Sequence, residues 1–104
     1  MDYETPYKTY KGCKLKLSRY IADGSPSIVV CNKGGPVIKL TVCLDEHVRN
    51  LKFNEAYVDV GSAHGALDFI KKYSLGKETG VYRFRGHCFY PLVSFDMETV
   101  KKHA

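Results

Sequence analysis

The chain has 104 residues, four cysteines and a formal net charge of +5, the size of one domain spanning 1–104. That is too short for a TIM barrel, which needs roughly 200 residues or more, and 44% apolar with 26% charged residues is a globular rather than a disordered composition. No apolar run reaches the ~18 residues of a transmembrane helix, and Met1 to Lys16 holds no apolar h-region, so a cytoplasmic product with no membrane partner is expected.

Residues 1–12 read as an irregular or edge segment carrying Tyr3, Pro6, Tyr7 and Tyr10. From Lys14 to Ile21 the pattern alternates. Cys13, Leu15, Leu17 and Ile21 fall on one face and Lys14, Lys16 and Ser18 on the other, with Arg19 breaking the apolar side, which predicts a half-buried strand. Asp23-Gly24-Ser25-Pro26 is turn chemistry. Ser27 to Asn32 is a β-branched run, Lys33-Gly34-Gly35-Pro36 is a second turn, and Val37 to Leu44 alternates as a third strand. Connections this short make an antiparallel meander.

Asp45 to Asn54 is polar, a loop or one helical turn, and Glu55 to Val60 is a fourth strand broken by Gly61-Ser62. Ser62 is placed to cap a helix from Ala63 to Ser74. Ala66, Leu67 and Ile70 lie on its apolar face, Asp68 and Lys72 form an acid-before-base pair, and Gly76 is the C-terminal glycine. Lys77 to Gly80 reads as a loop, Val81 to Phe84 as a strand, and Cys88 to Phe95 as another. Pro91 in that last strand lacks an amide hydrogen and calls for an edge, a bulge or a strand start. Asp96 is placed to cap a short C-terminal helix. The fold class is α+β: an antiparallel meander sheet of about five strands, one main helix packed on it and a short C-terminal helix.

The chemistry-bearing patterns are few. The cysteines are 18, 12 and 45 residues apart, so no C-x-x-C exists. As a set they read as small buried hydrophobes, with no metal and no cofactor expected. Phosphate-loop, nucleophile-elbow and H-E-x-x-H motifs are absent from the sequence, and no enzyme is expected. A Cys88 nucleophile would need a distant histidine such as His47 or His64. Charge is more informative. Thr5 to Ala22 holds five basic residues and no acid, which equals the whole excess, since the remainder has 11 basic against 11 acidic residues. A second basic series, Arg83, Arg85 and His87, shares one face if that stretch is extended, with Phe84, Gly86 and Cys88 opposite. Arginine suits anionic partners because its planar fork donates in pairs, and Tyr82 and Tyr90 offer stacking surfaces. The expected partner-binding residues are Lys14, Lys16, Arg83, Arg85, His87 and Tyr90.

The stretch Glu55-Ala56-Tyr57-Val58-Asp59, then Tyr73-Ser74-Leu75-Gly76, Thr79-Gly80, Gly86-His87-Cys88-Phe89-Tyr90-Pro91-Leu92 and Phe95 resembles an uncharacterised family of gut bacteria, their phages and conjugative elements. Tyr10-Lys11-Gly12, Leu15, Leu17, Tyr20 and Leu40-Thr41-Val42 with Leu44 also fit its pattern. The most specific part is Gly-x-Cys-x-Tyr-Pro-Leu. The chain departs from the family at Val60-Gly61-Ser62 and at Arg85-Gly86-His87. The family is similar to a small anti-CRISPR protein acting on type II-A Cas9. The resemblance therefore implies a non-catalytic inhibitor whose partner is Cas9 or its guide-RNA complex, with DNA or RNA contact. The alternative is a basic nucleic-acid-binding accessory protein of mobile elements without a nuclease target.

Overall fold

The computed structural model describes residues 1–21, 24–44, 52–61 and 64–104. In chain order these form β1 (Tyr3–Glu4), β2 (Thr9–Tyr10), β3 (Lys14–Arg19), β4 (Pro26–Asn32), β5 (Gly35–Lys39), β6 (Thr41–Val42), β7 (Glu55–Val58), α1 (Ala66–Lys72), β8 (Gly76–Arg85), β9 (Cys88–Phe95) and α2 (Met97–Lys102). No helix among the described residues is long and apolar enough to cross a membrane.

The α+β class is observed, but the single five-stranded meander is not. The strands make three sheets: a β1-β2 hairpin, a β3-β4-β5 meander, and a four-stranded sheet in the order β6-β7-β9-β8. The expected strand from Val37 to Leu44 divides at Leu40. Its amide donates to the Ile28 carbonyl in β4 at 2.9 Å, while its own carbonyl accepts from Asp59 beyond β7 at 3.2 Å. The next residue, Thr41, is buried, and its Oγ1 accepts from the Ile28 amide at 3.0 Å. Leu40 is thus a corner, where the chain leaves one sheet and enters the next.

The Lys14–Arg19 alternation is observed, with Leu15 buried and Lys14 and Lys16 exposed. Ile21 is instead fully exposed, because β3 ends two residues earlier. Arg19 turns outward, where Nη1 donates to the Gly24 and Phe53 carbonyls, each at 2.8 Å, and the guanidinium lies 4.5 Å from the Phe53 ring centroid.

Residues 1–12 are more ordered than expected. Tyr3 pairs with Tyr10 across the first hairpin and is wholly buried in the main core, beside Leu15, Ile28, Val58, Phe69 and Phe95. Its ring lies 4.9 Å from that of Phe69, and its hydroxyl donates to the His64 carbonyl at 2.7 Å.

Helix α1 is shorter than expected. Ser62, the expected cap, lies outside the described residues, and Gly65 occupies the N-cap position with φ 79. Lys72 reaches Glu4 Oε1 at 3.3 Å, so a tertiary ion pair replaces the expected one with Asp68. The C-terminal glycine role does not fall to Gly76, which begins β8. Ser74 takes the left-handed position with φ 55. Its amide bonds to the Lys71 carbonyl, and the Leu75 amide bonds to that of Ile70 at 2.9 Å. This is a Schellman closure, sealed by contact of the two buried apolar residues Ile70 and Leu75. The expected loop over Lys77–Gly80 is part of β8.

The Asp96 cap is observed, with its carboxylate accepting from the Thr99 amide at 3.2 Å. That backbone bond holds the Asp96 pKa below the ordinary 3.8. A depressed carboxylate pKa adds stability above the unfolded value and loses it as pH falls through the folded one. Asp96→Ala is therefore expected to lower the urea midpoint at pH 7. The difference from wild type should shrink once the pH falls below the carboxylate range, where the cap loses its charge. Beyond α2 the His103 carbonyl accepts from the Leu15 amide at 2.7 Å, tying the helix to β3.

Candidate functional site

The four-stranded sheet is uneven in width. β7 pairs with β9 only from Leu92 to Ser94, whereas β8 pairs with β9 as far as Arg85 and Cys88. Residues 81–91 therefore form a two-stranded arm extending beyond the sheet, and every residue from Val81 to Cys88 is exposed. At the base of the arm the register shifts between Glu78 and Tyr82, so three residues of β8 stand against Leu92 alone. Thr79 stitches this bulge: Oγ1 donates to the Leu92 carbonyl at 3.1 Å and accepts from the Val81 amide at 3.1 Å. Gly80 takes φ 88 there, a value that side chains disfavour. Pro91 lies beside this bulge, opposite Tyr82, where β9 has already parted from β7. Its missing amide hydrogen therefore breaks no central ladder.

The tip is a two-residue turn. Arg85 pairs with Cys88, leaving Gly86 and His87 between them, and Gly86 supplies the positive φ of 62 that such turns need. This changes the expected face assignments. Cross-strand partners share a face, so Arg83 sits with Tyr90 and Arg85 with Cys88. Arg83, Arg85 and Tyr90 thus share one face. His87 lies in the turn and belongs to neither strand face. Cys88 joins the arginine face instead of opposing it, because the turn reverses the chain before it.

Cys88 is exposed and Cys13 buried, with Cys31 and Cys43 between, so the four do not behave as one buried set. The neighbour of the Cys88 thiol is Tyr90. Interaction with that thiol, followed by burial, raises the Tyr90 pKa from its ordinary value. Tyr90 also packs on the small second core of Leu44, Tyr57 and Leu92, which anchors the arginine face to the body. Of the histidines considered for Cys88, His64 lies beside Tyr3 and His47 is outside the described residues. Among the described residues no three His, Cys, Asp or Glu side chains converge as metal ligands would.

The opposite face of the arm was not foreseen from the sequence. Phe84 pairs with Phe89, and Tyr82 lies 5.6 Å from Phe84 and 5.0 Å from Phe89 by ring centroid, with 5.3 Å between the phenylalanines. Despite this mutual contact, Tyr82 is 54% and Phe84 69% exposed. Recognising Gly86-His87 as the turn would have been the signal, because that register sets the two phenylalanines opposite each other.

Lys14 and Lys16 belong to a different sheet from the arm. They project from the exposed face of β3, opposite Cys31 and Val29. There Lys16, Val29, Cys31, Val37 and Lys39 line a shallow groove of about 490 Å³. The six expected binding residues thus divide into a lysine face on the meander and an arginine face on the arm, with His87 at the tip.

No curated protein and no solved structure matches the chain. The family described as Domain of unknown function (DUF4313) matches residues 14–104, a span that takes in both larger sheets, both helices and the entire arm, and the chain belongs to that family.

Proposed function

We propose that the protein acts by binding, as a non-catalytic inhibitor of a type II-A Cas9 that presents its β8-β9 arm to the nuclease or to its guide-loaded complex. The observation that supports this reading is the arm itself. It extends beyond the sheet, is exposed along β8, and carries two arginines on one face and aromatic rings on the other. The resemblance of Gly86-His87-Cys88-Phe89-Tyr90-Pro91-Leu92 to a family similar to a Cas9 inhibitor falls on the same segment. Net charge +5 speaks against imitation of DNA, which calls for an acidic surface, and favours contact with guide RNA, bound DNA or an acidic protein surface.

The test is a cleavage assay in which the protein meets Cas9 before guide RNA, after guide RNA or after target DNA. Inhibition is expected, and the order that abolishes it locates the blocked step. Arg83→Ala with Arg85→Ala removes two charge-assisted donors, each worth roughly 1.5–3 kcal/mol, so inhibition should weaken by about a hundred-fold or more while the fold stays intact. An unchanged double variant would remove the arginine face from the reading. Absence of inhibition against several type II-A nucleases, with salt-sensitive binding to free RNA or DNA, would favour the accessory nucleic-acid-binding protein. The acid-free run from Thr79 to Phe95 is the feature that supports that second reading.

A further inference from the structure

We infer that the aromatic face of the arm is a platform for unpaired nucleobases, so that the ligand gripped by the arm is single-stranded nucleic acid. This rests on the reading of the arm as the working surface and names what it holds. Three rings, Tyr82, Phe84 and Phe89, form a contiguous cluster with centroids 5.0–5.6 Å apart. Two of them remain more than half exposed, beside Val81, which is 52% exposed. An apolar cluster left in water at the end of an arm marks a contact surface.

Charge complementarity decides which contact. In the sequence no acid occurs between Glu78 and Asp96; Glu78, at the base of the arm, has its carboxylate 3.6 Å from Lys71 Nζ, and Asp59, beyond the end of β7, is the acid whose charge reaches Tyr90 on the arginine face. The arm itself contributes Arg83 and Arg85 on the reverse of the same two strands and His87 at the tip. Rings that accept any base by stacking, backed by cations that follow phosphates, are the two components of sequence-tolerant single-strand binding. A duplex hides its base faces in the stack and leaves the rings without a partner. The division of labour is specific: the rings take bases and the arginines take the backbone.

An oligomer stripped of its bases separates the two roles. Short oligothymidylate and oligouridylate are titrated against the full chain alongside abasic oligomers of equal length, at two salt concentrations and with no nuclease present. Each stacked base is worth roughly 1–3 kcal/mol, so the base-bearing strands should bind about ten-fold tighter or better than the abasic ones. In Tyr82→Ala with Phe84→Ala that difference should disappear, leaving phosphate binding intact. In Arg83→Ala with Arg85→Ala both kinds of oligomer should weaken together, with a shallower salt dependence and the difference preserved. Tyr82→Leu with Phe84→Leu keeps the apolar character without the rings and should behave as the alanine pair does.

Equal affinity for base-bearing and abasic strands overturns the inference. So does a difference that survives in the leucine pair, since that surface would then suit an apolar protein pocket. Loss of the difference in wild type while Cas9 inhibition persists sinks the platform alone. A retained difference without inhibition supports the platform and sinks only the nuclease reading.

Discussion

Tyr3→Ala is expected to destabilise the protein by about 3–5 kcal/mol, the range for removing a buried aromatic ring. Tyr3 is wholly buried, packs its ring at a tilt against Phe69 of α1 with centroids 4.9 Å apart, and is the point where the first hairpin enters the core. Its partners in that core include strand residues and the buried face of α1. Tyr3→Phe separates ring from hydroxyl. It keeps the packing but strips the donor from the His64 carbonyl, a loss of about 0.5–1.5 kcal/mol. Burial also pushes the Tyr3 pKa from the ordinary 10.0 up to about 12. A raised pKa means stability that is complete below the unfolded value and declines as pH rises from about 10 through about 12. The phenylalanine variant should lack that part of the alkaline decline. Urea denaturation of the three proteins at neutral and alkaline pH checks all of this. The family match begins at residue 14, so deleting residues 1–12 should unfold a chain that retains every matched position. A truncated chain with the wild-type midpoint would refute the role given to Tyr3.

Gly76→Ala is the second large effect, and its cause is space rather than backbone freedom. A Cβ at Gly76 would stand 2.6 Å from the Ser94 carbonyl oxygen and 3.0 Å from both Phe95 Cα and Val93 Cγ1. Two of those atoms are backbone of β9, which Gly76 pairs through Phe95, and the next rung is fixed by the Asp96 amide on the Leu75 carbonyl at 2.8 Å. Relief would require prising β8 from β9, so a loss of about 1–3 kcal/mol is expected. Ser74→Gly should act the other way. Ser74 holds φ 55, a region costing an L-residue roughly 1–2 kcal/mol. Part of that gain is offset by the greater freedom of glycine in the unfolded chain, for a net stabilisation of about 0.5–1 kcal/mol. Urea midpoints moving in opposite directions for substitutions two residues apart would establish the two roles. A neutral Gly76→Ala would show that the strands are not packed as described.

These positions also show what can be read from a chain and what cannot. Lys14–Arg19 declares itself because one face is buried and the other is wet, and Asp96 declares itself because a carboxylate before a short helical run has one obvious use. Both signals are local. The break at Leu40 is not, since Val37 to Leu44 alternates without interruption and only the bonds to Ile28 and Asp59 divide it. The sequence points to the nearest glycine for helix termination, but the closure needs only one left-handed residue and an apolar clasp, which Ser74, Ile70 and Leu75 supply. At the arm the residue types were legible and the grouping was not. Gly-His is an uncommon hairpin signal beside Asn-Gly or Asp-Gly, and a two-residue turn changes which side chains share a face. Tyr3 was hidden for a different reason: nothing in a polar, tyrosine-rich opening distinguishes the ring that enters the core from those that stay outside, such as Tyr7.

The bulge at the base of the arm has a further consequence, for solubility. β8 is the outermost strand of its sheet, and ten residues of strand with aromatic side chains would otherwise be a template on which another chain could add itself, then another. Three residues set against one at Thr79-Gly80-Val81 disrupt the rhythm of outward amides and carbonyls partway along, so no incoming strand can run in register past that point. Lys77 on one side of the break and Arg83 and Arg85 on the other place like charges where copies would meet. The irregularity thereby makes an exposed aromatic edge strand a poor template for fibres.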